Sequence, residues 1–98
     1  MNYKITFSTY VNATGTSTGK RKLQSDLVAI ARANNIQGFT LTNQVGYWAG
    51  ELEQSHALTL LDTTQTQARK VALDVKRLYN QDAVILEALV DMHAEFIS

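Results

Sequence analysis

The order of periodic segments predicts an α+β sandwich in which two helices cover one face of a four-stranded antiparallel sheet. Four stretches alternate or run apolar as strands do, and two repeat their apolar residues at helical spacing. The six follow one another as β-α-β-β-α-β, the ferredoxin-like split βαβ order. With 98 residues the chain makes one domain, residues 1–98, whose modest core buries roughly 60–65% of the unfolded surface.

The first strand is read from Tyr3, Ile5 and Phe7, which alternate with Lys4, Thr6 and Ser8. "VNATGTSTGKRK", Val11 to Lys22, leads on to the first helix and contains a Gly-Lys pair. A phosphate loop of the form G-x-x-x-x-G-K-[ST] would need glycine at Thr14 and a hydroxyl at Arg21, so two of its four fixed positions are wrong. The segment is read instead as a flexible strand-to-helix connection able to fold over a small ligand. Leu23, Leu27, Ile30 and Ala31 line one face of a helix from Lys20 to Asn34. Asn34-Asn35 stops it, because Asn tolerates the left-handed conformation that ends helices. "IQGFTLTNQVGYWAG" gives a second strand from Ile36 to Trp48, followed by a turn near Ala49 to Leu52. His56, Leu58 and Leu60 then alternate with Ser55, Ala57, Thr59 and Leu61 in a third strand, antiparallel to the second.

The second helix opens at Thr64, with Gln67 three positions later in the S/T-x-x-Q capping arrangement. Its apolar face is Ala68, Val71, Ala72, Val75, Leu78 and Tyr79, and Asn80 supplies the stop. "AVIL", Ala83 to Leu86, reads as a central strand covered on both faces. Beyond it Val90, Met92, Ala94 and Phe96 alternate with Asp91, His93 and Glu95, which predicts an extra C-terminal strand at an edge or between subunits. With both helices on one face, the other is left to water, to the tail, or to further copies of the chain.

Nine Lys and Arg balance nine Asp and Glu, and this neutrality argues against sequence-independent nucleic-acid binding. The chain has no cysteine, which excludes a disulfide scaffold, thiolate metal sites and a cysteine nucleophile. No segment approaches the roughly 18–20 apolar residues that span a bilayer, and "MNYKITFSTY" lacks a basic stretch followed by an apolar run. A cytoplasmic protein that does not enter membranes is the expectation.

Chemistry concentrates in "VGYWAGELEQSH", Val45 to His56, where Tyr47, Trp48, Glu51, Glu53 and His56 surround a Gly-flanked turn. The structural reading is that Tyr47 and Trp48 cap the core edge while the two glutamates are solvated turn charges. The functional reading makes them a site. His56 shares its alternation with Leu58 and Leu60, as a satisfied sheet-face histidine would. Tyr79 continues a helix stripe, whereas Tyr10 ends the first strand beside the opening loop, where it could face a ligand. No His, Asp or Glu spacing resembles a metal site, and no serine sits in a G-x-S-x-G elbow, so neither metal, cofactor nor nucleophilic hydrolase chemistry is expected.

The succession "VGYWAGELEQSHALTLLD" and then "TQARKVALDVKRLYNQDAVIL" resembles the phage S-adenosylmethionine lyases, small enzymes with a trimeric PII-like ferredoxin fold. The residues that carry the resemblance are Gly46-Tyr47, Glu53 with Ser55 following, and Gln81-Asp82 before Ala83 to Leu86. It covers Gly38 to Leu86; "STYVNATG" is only loosely similar. It implies cleavage of S-adenosylmethionine to 5′-methylthioadenosine and homoserine lactone at clefts between subunits of a homotrimer. By position it assigns catalysis to Tyr47 and Glu53; Glu51, Ser55, Trp48 and Tyr10 are expected as substrate-binding residues. Glu51 lies two residues before Glu53, and a difference in turn length would exchange their roles. It implies the cytoplasm as location, that of the host if the chain is phage-encoded. Two alternatives stay open: a noncatalytic PII-like module that binds a nucleotide-like molecule or S-adenosylmethionine, and a lyase of a nucleotide-conjugated S-adenosylmethionine, whose phosphate would meet Lys20 to Lys22.

Overall fold

Tyr3, Ile5 and Phe7 are buried while Asn2, Lys4 and Thr6 between them are only partly so, so one face of the first strand is the floor of the core. The computed structural model describes residues 1–8, 10–11, 16–17 and 19–90. Their elements are β1 (Asn2–Phe7), β2 (Tyr10–Val11), β3 (Thr16–Ser17), α1 (Lys20–Ala33), β4 (Gly38–Trp48), β5 (Glu51–Leu61), α2 (Gln65–Leu78) and β6 (Ile85–Leu89). The main sheet has the order β4-β5-β1-β6 with every neighbour antiparallel. This is the expected α+β, ferredoxin-like arrangement.

Register explains the layering. Ile5 pairs with Leu58 on one side and Leu86 on the other, and Tyr3 pairs with Leu60, so these positions share one face. Leu23 and Leu27 of α1 and Ala68, Val71, Ala72 and Val75 of α2 close over it, with Phe39, Leu41 and Val84 at the margin. Each large aliphatic side chain fully buried there contributes roughly 1.5–3 kcal/mol. The helices lie antiparallel. Asn34, which ends α1, donates from Nδ2 to Asp74 Oδ2 (3.0 Å) and accepts at its carbonyl from Gln67 Nε2 (3.1 Å). At the other end the Tyr79 hydroxyl donates to Asp26 Oδ2 (3.1 Å) and its ring stacks on Phe7. Burial, then that hydrogen bond, push the Tyr79 phenol well above its ordinary pKa.

The predicted capping box is present: Thr64 Oγ1 accepts from Gln67 N (3.1 Å) and Thr64 N donates to Gln67 Oε1 (3.0 Å). Asn35 and Asn80 hold φ of 57° and 51°, the left-handed conformation anticipated for the two stops.

Four expectations need correction. The β4–β5 turn is Ala49-Gly50 alone, so Glu51 and Leu52 belong to β5; alternation resumes immediately after a two-residue turn. Leu78 is exposed, because it lies beside the stripe completed by Val71, Val75 and Tyr79. The last strand among the described residues is Ile85–Leu89 rather than Ala83 to Leu86, and it stands last in their sheet order, covered on one face rather than both: Val84 and Leu86 pack on the core while Ile85 is exposed. The connection after β1 is not wholly irregular, since Tyr10 pairs with Ser17 and Val11 with Thr16. The proposed strand beyond Val90 lies outside the described residues, as do Asn12 to Gly15 of the loop.

Candidate functional site

β4 and β5 pair over their full length, from Gly38↔Leu61 to Trp48↔Glu51. β1 accompanies β5 only as far as Phe7↔His56. The five pairs from Gln44↔Ser55 to Trp48↔Glu51 therefore project past the body as a two-stranded arm. Its turn has positive φ at both central residues, Ala49 (50°) and Gly50 (85°), as a two-residue hairpin matched to strand twist requires. Glycine adopts that conformation without strain, whereas an alanine in it costs about 1–2 kcal/mol.

Strand alternation sorts the sequence-predicted residues onto two faces. Tyr47 sits opposite Leu52, and Val45 opposite Gln54, on the face that continues the core side of the sheet. Among the described residues no helix reaches there: Val45, Tyr47 and Leu52 are 65%, 72% and 75% exposed, so the arm carries an exposed apolar stripe. Positions 51, 53 and 55 fall on the opposite face, paired with positions 48, 46 and 44. Ser55 Oγ accepts from Gln44 Nε2 (3.1 Å), and the Glu51 side chain is exposed. Thus positions 48, 51, 53 and 55 share one face of the arm in register, and position 47 belongs to the other. Tyr10 belongs to the short β2–β3 ladder, which follows β1 at the end of the body from which the arm leaves. From Asn43 to His56 the chain contains two glutamates and neither Lys nor Arg, so the arm is electronegative.

At the arm's base His56 faces Phe7, with ring centroids 5.5 Å apart, and its Nδ1 lies 2.7 Å from Asn43 Oδ1. The amide oxygen only accepts, so Nδ1 donates. Burial holds the imidazole below its ordinary pKa. The expected satisfied sheet-face histidine is what stands here. Its partner Asn43 escaped notice in the sequence, although a two-residue turn at 49–50 fixes 43 opposite 56. Among the described residues no three His, Asp or Glu side chains gather in a way that could hold a metal ion, and no helix is long and apolar enough to cross a membrane.

These features define a class, an α+β ferredoxin-like fold whose second hairpin is extended into an arm. Within that class the chain is similar to a phage SAM lyase in complex with S-methyl-5′-thioadenosine (TM-score 0.68, 15% identity, 87% of this chain and 76% of that one). It is similar to a phage SAM lyase in the apo state as well (TM-score 0.68, 17% identity, 87% and 75%). CutA1 from Pyrococcus horikoshii, a PII-like ferredoxin fold, matches at TM-score 0.59 and 15% identity over 95% of this chain and 87% of that one. No protein-family model matches the sequence, and no curated protein does. At such identities the likeness establishes the fold alone.

Proposed function

We propose that the protein is an S-adenosylmethionine lyase, releasing 5′-methylthioadenosine and homoserine lactone at clefts between the subunits of a homotrimer. The observation that carries this reading is the arm: an acidic, cation-free ribbon, in a fold shared with a phage SAM lyase that was captured with S-methyl-5′-thioadenosine. The substrate's own carboxylate attacks its γ-carbon, a C–O bond forms as the C–S bond breaks, and the sulfonium departs as a neutral thioether. Nucleophile and leaving group both come from the substrate, so the protein has only to fold it. Holding the reacting atoms in near-attack geometry supplies the larger part of the acceleration. Glu53 binds the substrate ammonium, with Glu51 beside it, and the Tyr47 hydroxyl orients the carboxylate or sulfonium end; Ser55, Trp48 and Tyr10 line the cleft.

Because positions 47 and 53 belong to opposite faces of one ribbon, a single chain does not turn both toward one substrate. Arms from two chains do, and the exposed stripe of Val45, Tyr47 and Leu52 is the surface such a partner would cover. The test follows 5′-methylthioadenosine released from S-adenosylmethionine by wild type, Glu53→Gln, Glu51→Gln and Tyr47→Phe, with light scattering for assembly. Glu53→Gln is expected to keep the assembly and lose about ten- to a hundredfold in turnover, the equivalent of a charge-assisted hydrogen bond of roughly 1.5–3 kcal/mol. A monomeric wild type defeats the intersubunit cleft, and loss at Glu51→Gln instead moves the acid by two residues. The likeness to CutA1 favours a second reading, a module that binds such a ligand without chemistry. Binding of S-adenosylmethionine with no product would decide for it.

A further inference from the structure

The chain's charge balances in total but not in space. Eight of its nine Lys and Arg lie within α1 and α2, against two of its nine Asp and Glu. Both of those carboxylates are engaged within the layer: Asp26 accepts from Lys22 and Tyr79, and Asp74 from Lys70 and Asn34. Among the described residues, Lys20, Arg21, Arg32, Arg69, Lys76 and Arg77 have no carboxylate within ion-pair distance. All but the half-buried Lys76 are exposed.

The antiparallel packing of the helices gathers these cations at two ends. Asp26 bonded to Tyr79 puts the start of α1, with Lys20 and Arg21, at the same end of the layer as the finish of α2, with Lys76 and Arg77, while Asn34 bonded to Gln67 puts Arg32 at the end where α2 begins, with Arg69. Along α1, Arg21 and Arg32 stand roughly 16 Å apart at about 1.5 Å per residue, with a shallow groove of about 410 Å³ running between them past Ser25 and Val28.

We infer that this helical layer is a docking face for duplex DNA, held through the phosphate backbone without reading its sequence. Four of the six unpaired cations are arginines, whose planar forks match phosphate oxygens. The separation of the two cation groups is comparable with the step from one backbone to the other across a major groove about 12 Å wide. Neither helix contains an aromatic residue on which unpaired bases would stack, which favours a duplex over a single strand. Leu23, Leu27, Val71 and Val75 are spent on the core, and the large apolar side chains left exposed on the helices are Val28, Leu73 and Leu78.

The experiment is fluorescence anisotropy of two labelled duplexes of unrelated sequence with the full chain, between about 50 and 200 mM salt. Equal affinities are expected, with log K falling linearly in log salt at a slope of about −4 to −5. Arg21→Gln/Arg32→Gln and Arg69→Gln/Arg77→Gln should each flatten that slope by about 2, while Lys4→Gln, on the helix-free face, should leave it unchanged. No binding at the lowest salt overturns the inference, as does binding undiminished in both double variants. Equal affinity for polyglutamate, or tighter binding to phosphatidylserine vesicles than to DNA, also overturns it.

Discussion

The body and the arm are built from the same kinds of residue under opposite rules. In the body, Ile5, Leu27 and Val75 are essentially inaccessible, α2 opens on a capping box and both helices close on left-handed asparagines, and among the described residues no buried side-chain polar atom lacks a partner. In the arm, five strand pairs project with apolar side chains bare to solvent and, among the described residues, no third strand beside them. Isolated two-stranded hairpins are marginal in water. The body therefore accounts for folding, while the arm leaves its apolar stripe open to a partner chain.

The sharpest way to break that division is Ile5→Ala, which should cost about 2–5 kcal/mol in urea unfolding, since cavity and transfer terms add. Should it cost no more than an arm substitution, the division fails. Gly50→Ala should cost about 1–2 kcal/mol by thermal melting, because the turn needs its positive φ, and Ala49→Gly should recover a comparable amount from the opposite sign of the same effect. Thr64→Ala, which removes a cap of the body, should cost about 1 kcal/mol. Val45→Thr with Leu52→Thr should move protomer stability by no more than about 0.5 kcal/mol yet weaken self-association measured by sedimentation. The smallest effect is one of pH. Burial lowers the folded-state pKa of His56 from its ordinary 6.5, so on acidification the unfolded chain takes up the proton first. The stability this group contributes is complete above pH 6.5 and is lost as pH falls through the lower folded value; His56→Gln should flatten that portion of the curve.

The body was legible because its signals agree. Alternation at Tyr3, Ile5 and Phe7, spacing at Leu23 and Leu27, and the Thr64–Gln67 box each name one structure, and burial enforces it. The one-sided cover of β6 was not legible: a continuous apolar run such as "AVIL" has no period from which to tell a strand buried on both faces from one buried on a single face. Misreading followed at the turn, where Gly50 marks a break but does not mark its length. Assigning four residues to it hid the pairing that carries Asn43 to His56 and Tyr47 to Leu52. With a two-residue turn, simple counting separates Tyr47 from Glu51 and Glu53 onto opposite faces. The charge asymmetry escaped a whole-chain count for a similar reason, since nine against nine says nothing of which layer holds which sign.

The chain contains a single tryptophan, and its backbone flanks the turn at the far end of the arm, opposite Glu51. The protein therefore carries an intrinsic optical reporter at the tip of its least supported element, far along the strand from the buried tyrosines at positions 3 and 79. Its emission wavelength will follow what touches the arm, far-UV circular dichroism will follow the helices of the body, and the two events can be timed separately in one unlabelled sample.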